Sequence, residues 1–142
     1  MKAIIARSPE DLRDVYSIRH TVFMEEQQVD VENEKDQYEN QSIHFLLRTA
    51  EGVAIGAGRM RLVEGKGKAE RVCILKHARS LGGGKSIMEA MEAFARENTI
   101  PSILLNAQKQ AIGFYEKLGY STISEEFMEA GILHRKMEKK ID

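Results

Sequence analysis

The run from Val72 to Lys85, Val-Cys-Ile-Leu-Lys-His-Ala-Arg-Ser-Leu-Gly-Gly-Gly-Lys, constrains this chain more than any other stretch. An apolar, strand-like segment breaks into a short loop. Consecutive glycines then open a helix in which Ile87, Met91, Phe94 and Ala95 share one face. Glycine lets a phosphate approach the backbone closely, the first N–H groups of a helix have no partner within it, and the helix dipole favours negative charge there. Arg79 and Lys85 add cationic side chains beside those amides. A plain flexible helix entry would use the same glycines, so the turn alone leaves both readings open.

The rest of the chain narrows the setting. Its 142 residues show no repeat, low-complexity tract or linker, so residues 1–142 are read as a single domain. Lys plus Arg number 21 and Asp plus Glu 22, a net charge of −1, which supplies no basic face for nucleic acid. No apolar run reaches membrane-spanning length, so no membrane partner is expected, and Met1–Arg7 leads into a polar helix start instead of a signal-peptide core. Cys73 is the sole cysteine, which forbids an internal disulfide and makes a cytoplasmic location the natural reading. In its apolar run Cys73 reads as a small buried hydrophobe and not as a nucleophile. No metal is expected.

The periodicities give an element order. Lys2–Ala6 reads as a strand. Ser8-Pro9-Glu10-Asp11 is a helix start with Asp11 where a capping-box acid would stand, and Leu12, Val15, Ile18, Val22 and Phe23 carry that helix to about Gln27. Residues 25–39 hold Glu25, Glu26, Asp30, Glu32, Glu34, Asp36 and Glu39 against Lys35, a polar segment that is either solvated surface or an acidic wall for a cationic amine. Ile43–Thr49 and Val53–Val63 form a hairpin in which Arg59 and Arg61 share a face. Glu64–Lys68 reads as a turn, Ala69–Leu75 as a strand, Gly84–Asn98 as a helix and Ser102–Asn106 as a strand. A short helix over Gln110–Leu118 stops at Gly119, and strands near Tyr120–Phe127 and Ile132–Glu138 close the chain around Ala130-Gly131. This order predicts an α/β fold with a mixed, mostly antiparallel central sheet of about six or seven strands flanked by helices.

Other phosphate-binding turns do not fit. A Walker loop needs a glycine at a longer spacing ahead of Gly84-Lys85-Ser86, and a dinucleotide fingerprint needs Gly-x-Gly-x-x-Gly within a parallel βαβ unit. Arg79-x-x-Gly82-x-Gly84, following Val72–Leu75, instead resembles motif A of the GNAT acetyltransferases. Asn106-Ala107-Gln108, Ala111 and Phe114-Tyr115-Glu116-Lys117-Leu118-Gly119-Tyr120 resemble motif B of that family. The segments Arg19–Gln27 and Phe127–His134 are further similar to a bacterial subgroup that includes ElaA-like and YjcF-like proteins.

The resemblance implies transfer of the acetyl group of acetyl-CoA to a primary amine of a small molecule or peptide, by direct attack. It implies that the backbone of Val72 and Ile74 pairs with the pantetheine arm, and that the amides of Leu81, Gly82, Gly83, Gly84 and Lys85 hold the pyrophosphate with help from Arg79. Asn106 would bond the pantetheine, Phe114 would pack on the cofactor or core, Tyr115 would be the general acid for the leaving thiolate, and the Val72 N–H would face the oxyanion. For the base, Glu70 is a candidate because strand alternation places it on the face of Val72 and Ile74; Glu26, His44 and His134 are other candidates, and a water chain could also serve. Lys117 reads as a solvated charge. A homodimer is compatible with this reading. The rivals are a non-catalytic acetyl-CoA sensor and an interaction module.

Overall fold

The computed structural model describes residues 1–29 and 36–142. Strand β1 (Lys2–Ile5) leads into helix α1 (Pro9–Arg19), where Ser8 Oγ accepts from the Asp11 N–H at 3.0 Å and Pro9 occupies the first turn. The Asp11 carboxylate closes no capping box and instead accepts from Arg48 Nη2 at 3.1 Å. The chain stays helical to Glu26, but His20–Glu26 widens into a π-helical stretch. Then come β2 (Ile43–Arg48), β3 (Ala54–Val63), β4 (Lys66–Ile74), α2 (Gly83–Glu97), β5 (Ser102–Gln108), α3 (Ile112–Lys117), β6 (Ser121–Thr122), β7 (Phe127–Glu129) and β8 (Ile132–Lys140).

The sheet is mixed and mostly antiparallel, with eight strands in the order β1-β2-β3-β4-β5-β8-β6 and β7 also on β8. The extra strand arises because Ser124 interrupts the expected Tyr120–Phe127 strand. Its Oγ accepts from the Lys136 N–H at 2.8 Å and its carbonyl accepts from Arg135 Nε at 3.0 Å, leaving β6 and β7 as separate pieces on β8. The expected turn at Glu64–Lys68 shrinks to Glu64 and Gly65, both at positive φ, and β4 starts earlier than alternation alone suggested.

Helix α2 covers one face of the sheet, where Ile87, Met91 and Ala95 pack with Phe45, Leu47, Met60, Ile103, Leu105 and Met137. Helix α1 and the π-helical stretch after it cover the other, with Val15, Ile18 and Val22 against Leu46, Ala57 and Cys73. Cys73 is buried in that second core, as expected.

One irregularity positions the site. The only parallel contact among the described strands is between β4 and β5, and its register runs only from Gly67↔Ile103 to Ala69↔Leu105. Just beyond, Arg71 stands at φ 56° and the β3–β4 register slips between Ala57 and Arg59, so Arg71 and Val72 together oppose Gly58. This is a β-bulge, and it bends β4 away from its neighbour. From Glu70 to Ile74, β4 has no pairing with β5, and the sheet opens into a cleft.

Candidate active site

The cleft holds about 910 Å³ and passes between β4 and β5 from the α2 face to the α1 face. On the α2 side it is bounded by Ile74, Gly82, Gly83, Gly84, Leu105, Ala107, Phe114 and Tyr115. Gly82 is the N-cap of α2 at φ 85°, with no side-chain cap on the helix. The first N–H to bond within the helix is that of Ser86, which donates to the Gly82 carbonyl at 3.2 Å. The amides of Gly83, Gly84 and Lys85 therefore point from an open helix end. Each glycine has its own reason. A Cβ on Gly83 would lie 2.7 Å from Leu47 Cδ2, and one on Gly84 would lie 2.9 Å from Phe114 Cζ. At Gly82 space is open and the conformation is the constraint. Leu81 and Lys85 are exposed, with side chains outside the cleft.

Arg79 does not reach over the turn. Its Nε donates to the Ile74 carbonyl at 2.9 Å and its Nη2 pairs with Glu26 Oε1, tying the end of β4 to the end of the π-helical stretch. That hydrogen bond holds the Glu26 carboxyl below its ordinary pKa, which makes Glu26 a weak base. Tyr115 is buried in an edge-to-face stack with Phe114 and Tyr120, at centroid distances of 4.9 and 5.9 Å. Burial pushes its hydroxyl pKa well up, so it is a neutral donor at physiological pH. Lys117 is exposed, as expected.

On the α1 side the cleft is lined by Val22, Phe23, Gln27, Tyr38, Glu70, Asn106, Gln108, Glu129 and His134, among others. Here the expectation for Glu70 is corrected. The bulge at Arg71 breaks strand alternation, so Val72 and Ile74 pack toward α2 while Glu70 lies on the opposite face with Arg59. Its Oε1 accepts from Arg59 Nε at 3.1 Å and Arg61 Nε at 2.9 Å, and Lys68 Nζ lies 3.5 Å from Oε2. Burial raises its pKa, but the Arg59 charge and the Arg61 hydrogen bond outweigh this and hold it low. Glu70 is a structural counter-ion.

That counter-ion belongs to a larger network. Arg19 and Arg59 are fully buried. Arg19 pairs bidentately with Glu39 at 2.9 and 2.7 Å, and Arg59 pairs bidentately with Asp36 at 2.9 and 2.7 Å while also reaching Glu39. Burial pushes the Asp36 pKa up, yet the Arg59 hydrogen bond, the Tyr38 N–H and the nearby guanidinium charges bring it down to about 2. Arg61 lies 3.7 Å from the centre of the Tyr38 ring. The acidic stretch is thus turned inward at Asp36 and Glu39, onto guanidinium groups, and these carboxylates form no acidic lip for a cation. Asp30, Glu32, Glu34 and Lys35 lie outside the described residues. His44 is also removed from the candidate bases: it is buried, its Nε2 is bonded to the Glu39 backbone oxygen at 3.0 Å, burial lowers its pKa, and it does not line the cleft.

Asn106 and His134 meet on the α1 side. Asn106 Nδ2 donates to Glu129 Oε1 at 3.1 Å, while its buried Oδ1 has no partner among the described residues. Glu129 Oε2 stands 3.7 Å from His134 Nε2. Neither Glu129 nor the paired amides of Gln27 and Gln108, 2.9 Å apart, was given a role in the site from the sequence. A signal for Glu129 was present. Ala130 and Gly131, both at positive φ, make a tight hairpin turn that puts Phe127, Glu129, Ile132 and His134 on one face.

Residues 8–141 match the family model of the acetyltransferase (GNAT) domain. The chain belongs to the GNAT acetyltransferase family. It is 46% identical over 140 residues to the uncharacterized N-acetyltransferase YjcF of Bacillus subtilis (strain 168), covering 98% of this chain and 99% of that relative. The GNAT fold is shared with Escherichia coli ElaA at TM-score 0.81 and 19% identity over 97% of both chains. It is also shared with an aminoglycoside 6′-N-acetyltransferase complexed with coenzyme A, at TM-score 0.78 and 12% identity over 100% of this chain and 98% of that one. Membership of this family implies acyl transfer from CoA.

Proposed function

We propose that this GNAT protein transfers the acetyl group of acetyl-CoA to a primary amine by direct attack. The observation that carries the reading is the separation of β4 from β5 past Ala69, beside a helix end with unpaired amides. The pyrophosphate would bind the N–H groups from Leu81 to Lys85, favoured by the helix dipole and by glycines that leave no side chain in the way. The pantetheine would run along β4 at Val72 and Ile74 as an added strand, with the unpartnered Asn106 Oδ1 able to accept from one of its amides. Arg79 serves this path indirectly, since it already occupies one lone pair of the Ile74 carbonyl. Phe114 covers Gly84 and shapes the cofactor side.

In the reaction a neutral amine attacks the thioester carbonyl. Charge develops on oxygen, toward the Val72 N–H, and the thiolate departs. Tyr115 is the donor to that thiolate. Its raised pKa exceeds that of an ordinary thiol, about 8.5, so its contribution is hydrogen bonding to the developing charge more than complete proton transfer. The test is binding followed by turnover. CoA and acetyl-CoA should raise the melting temperature where ATP and NAD do not, and acetyl-CoA with a panel of primary amines should release free thiol. Equal stabilisation by ATP, or binding of CoA with no thiol release across the panel, would count against the proposal.

A further inference from the structure

We propose that His134 is the general base of this site, with Glu129 and Asn106 holding it and the incoming ammonium in place; this rests on the acetyltransfer reading above. His134 is buried, and its ring stacks on Phe127 with centroids 6.0 Å apart and planes 22° from parallel. Its Nδ1 lies 2.7 Å from the Ile132 carbonyl oxygen. A carbonyl can only accept, so Nδ1 carries a proton, and in the neutral form of the ring the Nε2 lone pair is the free one. That nitrogen faces Glu129 Oε2 at 3.7 Å, within the cleft wall.

In that form Nε2 and the Glu129 carboxylate are two acceptors facing each other, and at this distance they do not bond directly. They are spaced for a proton-bearing nitrogen to sit between them, about 2.9 Å from each. A primary ammonium fits that demand, with one N–H to the carboxylate and one to the imidazole. Glu129 itself is steadied by Asn106 Nδ2. Among the described residues, Glu129 on β7 is the charged group facing His134. From β5, the element paired with β8 at this point, the neighbours are the neutral Asn106 and Gln108, and Gln108 is bonded in turn to the neutral Gln27 of the π-helical stretch. The other carboxylate candidates, Glu26 and Glu70, are bound to guanidinium groups.

The proton balance is simple. The bound ammonium releases one proton to solvent through His134, the neutral amine forms the C–N bond, and the extra N–H proton of the adduct passes to Nε2. The C–S bond breaks, CoA leaves as thiolate with a hydrogen bond from Tyr115, and the imidazolium returns its proton to solvent or to the thiolate.

Two measurements test this. Long-range proton–nitrogen spectra of the His134 ring, assigned by comparison with His134→Gln, require no acceptor. At mildly alkaline pH they should show a protonated Nδ1 and a bare Nε2. An Nε2–H tautomer, or an imidazolium locked to Glu129, would overturn the proposal. Thiol release with the amine panel supplies the second. His134→Ala and His134→Gln should both lower kcat/KM by about 10²-fold and lose the acid limb of its pH profile, with imidazole restoring part of the rate to His134→Ala and CoA affinity unchanged. Glu129→Gln should raise KM for the amine more than it lowers kcat. A folded His134→Gln with the wild-type pH profile would refute the assignment. Wild-type protein that binds CoA but acetylates no amine would defeat the acetyltransfer reading instead, and the ring spectra would still report whether Nε2 is bare.

Discussion

The two sides of the cleft are built on opposite principles. The α2 side is a run of consecutive residues in which side chains have been removed: Gly82, Gly83 and Gly84 open a helix end with unpaired amides, Gly82 beside open space and Gly83 and Gly84 close against Leu47 and Phe114. The α1 side is assembled from residues distant in sequence, with charges paired in the interior: Arg19, Asp36, Glu39, Arg59 and Glu70. One side binds by what it leaves open. The other holds its shape by what it has already satisfied. A substitution on the first should therefore cost ligand affinity, and one on the second should cost stability.

The largest expected effect is on the ion network. Arg59→Ala leaves Asp36, Glu39 and Glu70 without their shared cation, and breaking a buried charge network of this kind costs about 3–5 kcal/mol. Urea unfolding at neutral pH should show it. The pH dependence sharpens the comparison. The folded-state pKa of Asp36 is depressed from 3.8 to about 2, and those of Glu39 and Glu70 are depressed too. Stability from such groups is fully present above their unfolded pKa and is lost as pH falls through the folded value. Wild type and Arg59→Ala should therefore converge in stability as pH drops from about 4 toward 2. A variant as stable as wild type at neutral pH would show that the network is not what fixes this wall.

Next is the turn. Gly82→Asp meets open space but puts a side chain at φ 85°, a strain of about 1–2 kcal/mol that Asp tolerates better than most residues, so the fold should survive with reduced stability while CoA affinity falls by about 10²-fold or more. Isothermal titration decides this, and unchanged affinity in a folded variant would separate the turn from the cofactor.

The difference between the sides also explains what could be read from the sequence. The turn is local, so its glycines and helix start were legible in the spacing, while its assignment to phosphate and the roles of Phe114 and Tyr115 came from the resemblance. The fold class followed from element order, and the Ala130-Gly131 hairpin carried a register from which Glu129 could have been matched to His134. Glu70 was misplaced because Arg71, a non-glycine residue at φ 56°, introduces a bulge that no propensity announces. Asp36 and Glu39 read as solvated or as an acidic lip because their partners, Arg19 and Arg59, are brought to them only by the tertiary fold. Arg79 was placed on the phosphate by its motif, while its actual partners are the Ile74 carbonyl and Glu26.

The smallest expected effect is at Tyr115, which belongs to the cofactor side yet acts only as charge develops. Tyr115→Phe keeps the ring and its stacking. It should lower kcat and kcat/KM together by about tenfold, toward or below the low end for proton donors, and leave CoA affinity unchanged. Wild-type turnover in the Phe variant would remove the hydroxyl from the mechanism, and lost CoA binding would make the tyrosine a cofactor contact.

The most direct measurement is an experimental structure with CoA bound. The pantetheine should lie against β4 from Val72 to Ile74, inside the opening that begins after Ala69 and Leu105, with the pyrophosphate on the amides of residues 81–85. The thiol should emerge between Tyr115 on one side and the cluster of Asn106, Glu129 and His134 on the other. A cofactor bound elsewhere, or β4 and β5 zipped together through Asn106 with CoA outside them, would contradict the assignment of the cleft.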